Sequence, residues 1–289
     1  MLAPVSRARR FVANRAAVAG AILVLVLVAI AVLAPWLGKD PLAHDIEHGL
    51  TQLGAPLAPS GDALLGTDHL GRDVWARLAA GASTSLAIAA LATGLALALG
   101  LTIGLVAGYA GGWIDDVLMR TVDLVLSFPM LLLAILLAAL LREAGLASSI
   151  APVVLTLAIV SWTTMARVIR GKAMTLARSE YVTAARTLGA SPARIIVRHI
   201  LPNVAGVLIV VIALGFAQNL LAEAALSYLG LGPPPPAPTW GRMLYEGRVF
   251  YRTAPHLVLA PGLAILLAVI AFHLVAGGVR DAFDPKERR

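Results

Sequence analysis

Long apolar stretches separated by clusters of charge dominate this chain. A helix that crosses a bilayer needs about 20 mainly apolar residues. Six stretches meet that requirement, at roughly 16–37, 84–109, 122–141, 147–167, 203–225 and 256–279. Pro129 lies inside the third stretch and predicts a kink there. Because one soluble core cannot bury so many stretches of this length, the pattern predicts an all-α integral membrane protein with about six transmembrane helices.

Composition agrees with this fold class and excludes several kinds of chemistry. Only 13% of the 289 residues are charged, about half the share of a typical soluble domain. The chain has no cysteine, which excludes disulfides, thiolate metal sites and cysteine nucleophiles. The net charge is +7, but the basic residues flank apolar stretches and form no single patch with interleaved aromatic residues. This placement favours membrane topology over nucleic-acid binding.

The basic residues also predict an orientation. They are concentrated before the first stretch, in the 168–202 loop and at the end of the chain, whereas the 38–83 loop has three basic and six acidic residues. With six spans, the three basic regions fall on one side, and the positive-inside rule makes that side cytoplasmic. The 226–255 loop departs from the rule with three arginines. The first stretch is longer than a signal-peptide core, so a retained helix is predicted.

Four glycines recur at a spacing of four residues at the end of the second stretch: Gly100, Gly104, Gly108 and Gly112. On a helix they lie near one face, where the absence of side chains lets another backbone approach closely. The spacing predicts tight helix packing, either inside this chain or against a partner.

The 168–202 loop has the local signals of two short helices. Ser179 is placed to cap a helix that begins at Glu180, and Gly189 supplies its C-terminal stop. Ser191-Pro192 then predicts the cap and first residue of another helix, and Pro202-Asn203 is expected to open the fifth span.

Small side chains on the first short helix suggest a docking surface. Ala184 and Ala185 leave a shallow surface that can seat in another protein's groove. Arg194 and Arg198 are four residues apart, which places them on the same face of a helix. They repel each other there unless a partner or lipid phosphates neutralise them. From these features alone, an ordinary basic loop is the favoured interpretation, and a docking surface is the alternative.

The same segment resembles the signature of ABC importer permeases: Glu-Ala-Ala, three residues, Gly, nine residues, Ile-x-Leu-Pro. The matching positions are Ala184, Ala185, Gly189, Leu201 and Pro202. Thr183 stands where the family's Glu usually is, so the salt bridge of that Glu is not carried over, and His199 stands where the Ile is. More specifically, the segment resembles the peptide/nickel branch of this family at Glu180, Tyr181, His199 and Asn203.

Resemblance to that branch extends along nearly the whole chain. An Arg common in the family soon after Gly81 is absent, since Ala82 and Ser83 follow. The resembling segments, in order, are Leu65–Asp68 and Leu70–Asp73, Tyr109–Arg120, Ser127–Pro129, Glu223–Gly230, Thr239–Gly241, Gly278–Ala282 and Asp284–Pro285.

The resemblance implies the type I importer permease fold and a division of labour. Residues 1–82 would hold a cytoplasmic tail, the first span and an external loop. Residues 83–280 would form a five-span core, and 281–289 a cytoplasmic tail. A homologous second permease, two ATP-binding subunits and an extracytoplasmic binding protein are the implied partners, in the bacterial plasma membrane. Contacts to the ATPase would come from Glu180, Tyr181, Ala184, Ala185, Gly189 and Ser191.

Di- and oligopeptides are the substrates this resemblance favours, with nickel chelates, glutathione-like peptides and other small solutes as alternatives in the same branch. A self-contained channel or secondary transporter is the alternative of another class. The chain has no G-x-x-x-x-G-K-[ST] motif. Cofactors are therefore expected on partners, as ATP and Mg²⁺, with none bound by this chain.

Two further groups are candidate sites near the external side. Glu223, with Tyr228 and Trp240, is assigned to the translocation path or outer gate. For Glu223 the alternative is a structural hydrogen bond that holds the 224–231 turn. Asp68, Arg72 and Asp73 are assigned to contact with the binding protein, and their alternative is an internal ion-pair network.

One motif points to a metal but lacks the context for one. Residues His44 to His48 satisfy the pattern H-x-x-E-H. The pattern needs a helix, and Pro41 and Gly49 bracket the segment closely. No metal site is predicted.

Overall fold

The structure is a computed structural model that describes residues 7–36, 39–146 and 149–283. These residues form helices joined by loops, with two isolated β-bridges, Leu50–Pro56 and Thr67–Asp73. The helices are α1 (Arg7–Ala13), α2 (Arg15–Leu33), α3 (Val74–Ala110), α4 (Gly112–Leu126), α5 (Met130–Leu141), α6 (Ala151–Ala177), α7 (Glu180–Thr187), α8 (Pro192–Ile195), α9 (Leu201–Tyr228), α10 (Trp240–Gly247) and α11 (His256–Phe283). Turns of 3₁₀-helix follow α2 and α10, and π-helical turns at 142–146 and 196–200 follow α5 and α8.

Within these residues, five helices are long and apolar enough to cross a membrane, and the number is six if the bent pair of α4 and α5 counts as one span. The predicted span at 122–141 is wrong as a single helix. It breaks between Leu126 and Met130, and the two halves meet at 88°. Pro129 has no backbone N–H and disfavours helical backbone at Phe128, so the chain breaks here rather than merely kinking. The predicted span limits at 37 and 147 lie outside the described residues.

Other spans are longer than the charge pattern predicts. Helix α3 begins at Val74 rather than near 84, and it runs through Arg77, whose side chain is 2% exposed. Helix α6 continues to Ala177 rather than ending near 167. In both cases the intervening arginines are paired with carboxylates. The division of the chain at 82/83 remains a prediction, and that position lies inside the unbroken α3.

Contacts between distant residues define two ends of the helix bundle. At one end, Asn14 Nδ2 donates to Asp281 Oδ2 at 2.9 Å and the Arg186 guanidinium lies 5.2 Å from the Tyr109 ring centre. This end, which holds α1, α7, α8 and the end of α11, is called the basic end. At the other, Trp240 Nε1 donates to Leu78 O at 3.0 Å. This loop end holds residues 39–73 and 229–255. The three basic regions therefore share one end, as far as they are described.

The glycine stripe packs inside this chain, against α6. A Cβ added to Gly100 would lie 2.8 Å from Trp162 O, and one added to Gly104 would lie 2.6 Å from Ala166 O. Gly108 makes the same kind of approach to α6. Gly112 does not belong to the stripe, because α3 ends at Ala110 and Gly112 has a φ of +52°.

Candidate coupling loop and loop-end network

Residues 178–200 are called the coupling loop. Its first helix begins and ends where the sequence predicts. Helix α7 starts at Glu180, but Ser179 does not cap it: Ser179 Oγ donates to Leu176 O at 2.6 Å. The C-terminal stop at Gly189 is confirmed. Gly189 has a φ of +79°, and Ala190 N donates to Ala185 O at 3.1 Å. This is the Schellman arrangement, which favours glycine at the left-handed position.

The two alanines of α7 face opposite ways. Ala185 and Val182 are buried in a cluster with Ile195 and Ile200. The prediction that Ala185 forms part of an exposed docking surface is therefore wrong, because this side chain packs toward α8 and the π-helical turn that follows it. Ala184 is exposed, as are the other predicted coupling residues, Glu180, Tyr181, Gly189 and Ser191. Leu188, which the sequence did not single out, is 89% exposed.

The second short helix is not separate from the fifth span. Ser191 Oγ accepts from Arg194 N at 3.4 Å and Pro192 is the first helical residue, as predicted. From there the helix continues to Tyr228 through a π-helical turn. Pro202, predicted to open the span, lies within this helix. The wider turn accommodates its missing N–H.

At the loop end, two carboxylates are shared among three arginines. Asp68 Oδ2 pairs with Arg72 Nε at 2.7 Å and with an Arg77 terminal nitrogen at 3.4 Å. Glu246 Oε2 pairs with Arg72 at 3.0 Å and Arg77 at 2.8 Å, and Oε1 pairs with Arg242 Nε at 2.8 Å. Asp68, Arg72 and Arg77 are all less than 10% exposed. These five residues are called the ion-pair network, and they join the 39–73 loop to α10.

Asp73, the third residue assigned to a protein contact, has a local role. Its Oδ1 accepts from Ala76 N at 2.9 Å and so caps α3. Asp68 and Arg72 are buried by partners in their own chain. The geometry therefore matches the alternative interpretation, an internal network that shapes the loop, and leaves Asp68 and Arg72 little surface for a partner protein.

Glu223 lies in a second buried polar cluster. Its side chain is 0% exposed, with Oε2 accepting from Ser85 Oγ at 3.1 Å and Oε1 from Ser227 Oγ at 2.7 Å. Ser85 Oγ also accepts from Trp240 N at 3.2 Å. The cluster ties α3, α9 and α10 together. Glu223 therefore makes structural hydrogen bonds, as its alternative interpretation expects, but they join α9 to α3 rather than hold a 224–231 turn, because residues 224–228 belong to α9.

Trp240 is 1% exposed, so neither it nor Glu223 faces open space in the isolated chain. Tyr228, the third residue of that group, is 45% exposed. A place for these residues on a translocation path stays a prediction.

Comparison with known proteins identifies the family. Residues 100–289 match the model for the binding-protein-dependent transport system inner membrane component, and residues 4–56 match the N-terminal transmembrane domain of oligopeptide transport permease C. The chain belongs to the binding-protein-dependent ABC permeases. It is a multi-pass inner membrane permease of the peptide/nickel family.

Relatives cover nearly the full length of this permease. It is 40% identical over 278 residues to the glutathione transport system permease protein GsiD of Shigella flexneri serotype 5b (strain 8401), covering 96% of this chain and 89% of that one. It is 38% identical to GsiD of Escherichia coli O6:K15:H31 (strain 536 / UPEC), with the same coverage. A chain from an inward-facing structure of the MetNI methionine ABC transporter has a TM-score of 0.58 at 17% identity. That match covers 71% of this permease and 95% of the solved chain and supports the fold alone.

Sequence reasoning missed the central members of both loop-end clusters. Arg77, Glu246 and Ser85 were not assigned to any site, although Glu246 stands at i+4 from Arg242, a spacing that favours pairing on a helix. Ser85 carries no such signal. Its partner Glu223 is 138 residues away, and only the packing of α3 against α9 brings the two together.

Neither histidine-containing group in the described loops has the context of a metal site. Residues 44–48 form a turn rather than a helix. The backbone N–H of His48 donates to Asp45 Oδ1 at 2.9 Å and holds the pKa of the Asp45 carboxyl below its usual value. Ligand atoms of Asp68, His69 and Glu246 lie within 4.8 Å of one another. Both carboxylates already pair with Arg72 and Arg77, whose positive charge disfavours a cation.

Proposed function

We propose that this permease is one of two pore-forming subunits of an ATP-driven importer of di- and oligopeptides. A homologous second permease would complete the pore, and two ATP-binding subunits would supply ATP and Mg²⁺. An extracytoplasmic binding protein would deliver the substrate. The observation that carries the proposal is the exposed coupling loop, whose helix α7 stands out from a bundle that matches the family along nearly its whole length.

The coupling loop has the features of a protein-binding surface. Val182 and Ala185 pack helix α7 against the bundle. Tyr181 and Ala184 of α7, and Leu188 just after it, are exposed. Together these three side chains give the loop an exposed apolar surface, and contiguous surfaces of that kind mark protein interaction sites. ATP binding would move the docked subunits and transmit that motion through α7, provided that ATP has different affinities for the two conformations.

A glutathione-like peptide is the second candidate substrate, favoured by the 40% identity to a permease named for glutathione transport. Nickel chelates are a third possibility within the family. Uptake of trialanine, glutathione and a nickel–histidine chelate into proteoliposomes that hold the complete complex separates these candidates. Transport of none of the three would contradict the proposed substrate class.

Composition of the complex is tested by affinity purification in mild detergent, followed by mass spectrometry. We expect an ATP-binding protein and a second permease to co-purify with this chain. Recovery of this chain alone, under conditions that keep such complexes intact, would favour a self-contained channel or transporter.

Orientation can be tested directly because the chain has no cysteine. We propose that the basic end is cytoplasmic. In intact spheroplasts, a membrane-impermeant maleimide should then label the Glu47→Cys variant and not the Thr187→Cys variant, both of which change exposed residues. The reverse labelling would overturn the orientation.

A further inference from the structure

A cavity of about 280 Å³ lies at the loop end, between the end of α5, the turn after α9 and helix α10. Its lining residues are Arg142, Ser227, Gly230, Gly232, Pro233–Pro235, Arg242 and Tyr245. Sites that enclose a drug-sized ligand usually measure about 300–1,000 Å³. The cavity therefore has room for one end of a peptide rather than a whole one.

Two guanidinium groups and no carboxylate line this cavity. Arg142 donates to the carbonyl oxygens of Gly230 and Gly232, which anchors the arginine on the turn without neutralising it. Arg242 uses Nε for Glu246 Oε1 at 2.8 Å, and its terminal nitrogens have no acceptor in the described part of the chain. Guanidinium is the side-chain group best suited to a carboxylate, because it presents paired N–H donors.

The neighbouring ion-pair network does not cancel this positive charge. Glu246, the partner of Arg242, is also shared with Arg72 and Arg77. The network holds two carboxylates against three arginines, so it leaves an excess of one positive charge before Arg142 is counted. A small anion that enters the cavity meets this excess, and a small cation is repelled.

We propose that this cavity binds a carboxylate of the peptide substrate as the substrate enters the permease, with Arg142 and Arg242 as its ligands. The inference rests on the proposed function, since it requires a peptide substrate. A carboxylate side chain of the binding protein is the competing occupant. The small volume of the cavity favours the free end of a peptide.

The test compares a transported peptide with its C-terminal amide. Trialanine beside its C-terminal amide, or glutathione beside its diamide, is supplied in proteoliposomes, whichever peptide the complete complex transports. Each is used at a concentration that saturates the binding protein, as checked by direct binding measurements. We expect the wild-type complex to transport the acid faster than the amide. Arg142→Gln and Arg242→Gln should each reduce that preference about tenfold or more, the effect of losing a charge-assisted hydrogen bond.

Two further variants separate recognition from folding. Arg142→Lys keeps the charge and should retain most of the preference. Arg252→Gln removes an exposed arginine of the same segment that does not line the cavity, and it should leave the preference unchanged.

An equal loss of transport for acid and amide in Arg142→Gln and Arg242→Gln would overturn the inference and favour the turn-anchoring or binding-protein role. An equal shift of the preference in Arg252→Gln would also overturn it. Failure of the wild-type complex to transport any peptide would instead contradict the proposed function.

Discussion

The loop end of this permease and the coupling loop at its basic end are stabilised in different ways. At the loop end, five buried or half-buried charged side chains hold the 39–73 loop against α10, and Glu223 adds a second polar cluster. At the basic end, the coupling loop 178–200 forms no ion pair among the described residues. Helix α7 rests there on apolar side chains and on one cation–π contact between Arg186 and Tyr109.

This difference follows from what each end has to contact. Charges at the loop end find their partners inside the chain, so they fix the shape of one subunit. Charges of the coupling loop, including Arg194 and Arg198, stay exposed and are available to a partner or to lipid phosphates. We therefore expect changes at the loop end to lower stability and changes in the coupling loop to lower transport.

The largest effect is expected for Gly189→Trp in the coupling loop. No atom lies within 4 Å of a Cβ added there, so the side chain would project into the space that the ATP-binding subunit is proposed to fill. Co-purification of the ATP-binding subunit and uptake should both be lost. The thermal midpoint of the isolated permease should fall by only a few degrees, since left-handed backbone costs a non-glycine residue about 1–2 kcal/mol, which is less than the stability of a folded domain.

Gly189→Asn is the matched control, because asparagine tolerates left-handed backbone and is smaller. It should retain binding of the ATP-binding subunit and most of the uptake. Equal uptake by Gly189→Trp and wild type would show that the coupling assignment is wrong.

The second largest effect is expected for Glu246→Gln at the loop end. This change removes a carboxylate shared by three arginines and leaves the buried Arg77 with one weaker partner. Breaking a buried ion pair on one side costs about 3–5 kcal/mol. The thermal midpoint in detergent should fall by about 10 °C, or the protein should fail to accumulate.

Glu47→Gln controls for the loss of one negative charge at the same end, because Glu47 is exposed. Its midpoint should stay within about 1 °C of wild type, since exposed charges contribute little. If Glu246→Gln behaves like Glu47→Gln, the ion-pair network does not stabilise the loop end.

The sequence predicted the features of both ends that depend on local signals. The start of α7 at Glu180 and its stop at Gly189 depend on a few adjacent residues. The family signature also consists of residues close together in the chain, and it predicted the position of the coupling loop. What remained hidden depends on pairs far apart in the chain, such as Arg72 with Glu246 at a separation of 174 residues.

Charge misled the prediction in one consistent way. The predicted spans leave Arg77 and Arg170 in the loops, but both lie inside long helices, where a carboxylate pairs with each. The exposure of Ala185 was also predicted wrongly, for a reason that does not involve charge. Residue type alone does not tell which of two adjacent alanines faces the bundle, and this depends on how α7 packs on α6 and α8.

A third prediction tests the close packing of α3 on α6 along the glycine stripe, which lies in the half of α3 nearer the basic end. In Gly104→Ala, the new methyl group would lie 2.6 Å from Ala166 O and 2.9 Å from Ile169 Cβ. Such overpacking costs about 1–3 kcal/mol. The thermal midpoint should therefore fall, by less than for Glu246→Gln.

Gly94→Ala is the control on the same helix, since nothing lies within 4 Å of its added Cβ. Alanine is favoured over glycine inside a helix by about 1 kcal/mol, so this variant should be slightly more stable than wild type. The same sign of change for both variants would argue against close packing of α3 on α6.

The smallest expected effect compares one helix start at each end of the molecule. Asp73 caps α3 through Ala76 N, whereas Ser179 precedes α7 with its hydroxyl turned to Leu176 O. Replacing a capping side chain by alanine costs about 1 kcal/mol. Asp73→Ala should thus lower the thermal midpoint by a few degrees, and Ser179→Ala should lower it by less, because no cap is lost. Equal losses would mean that Ser179 caps α7 in solution, as its sequence position predicts, and the two ends would then differ only in their ion pairs.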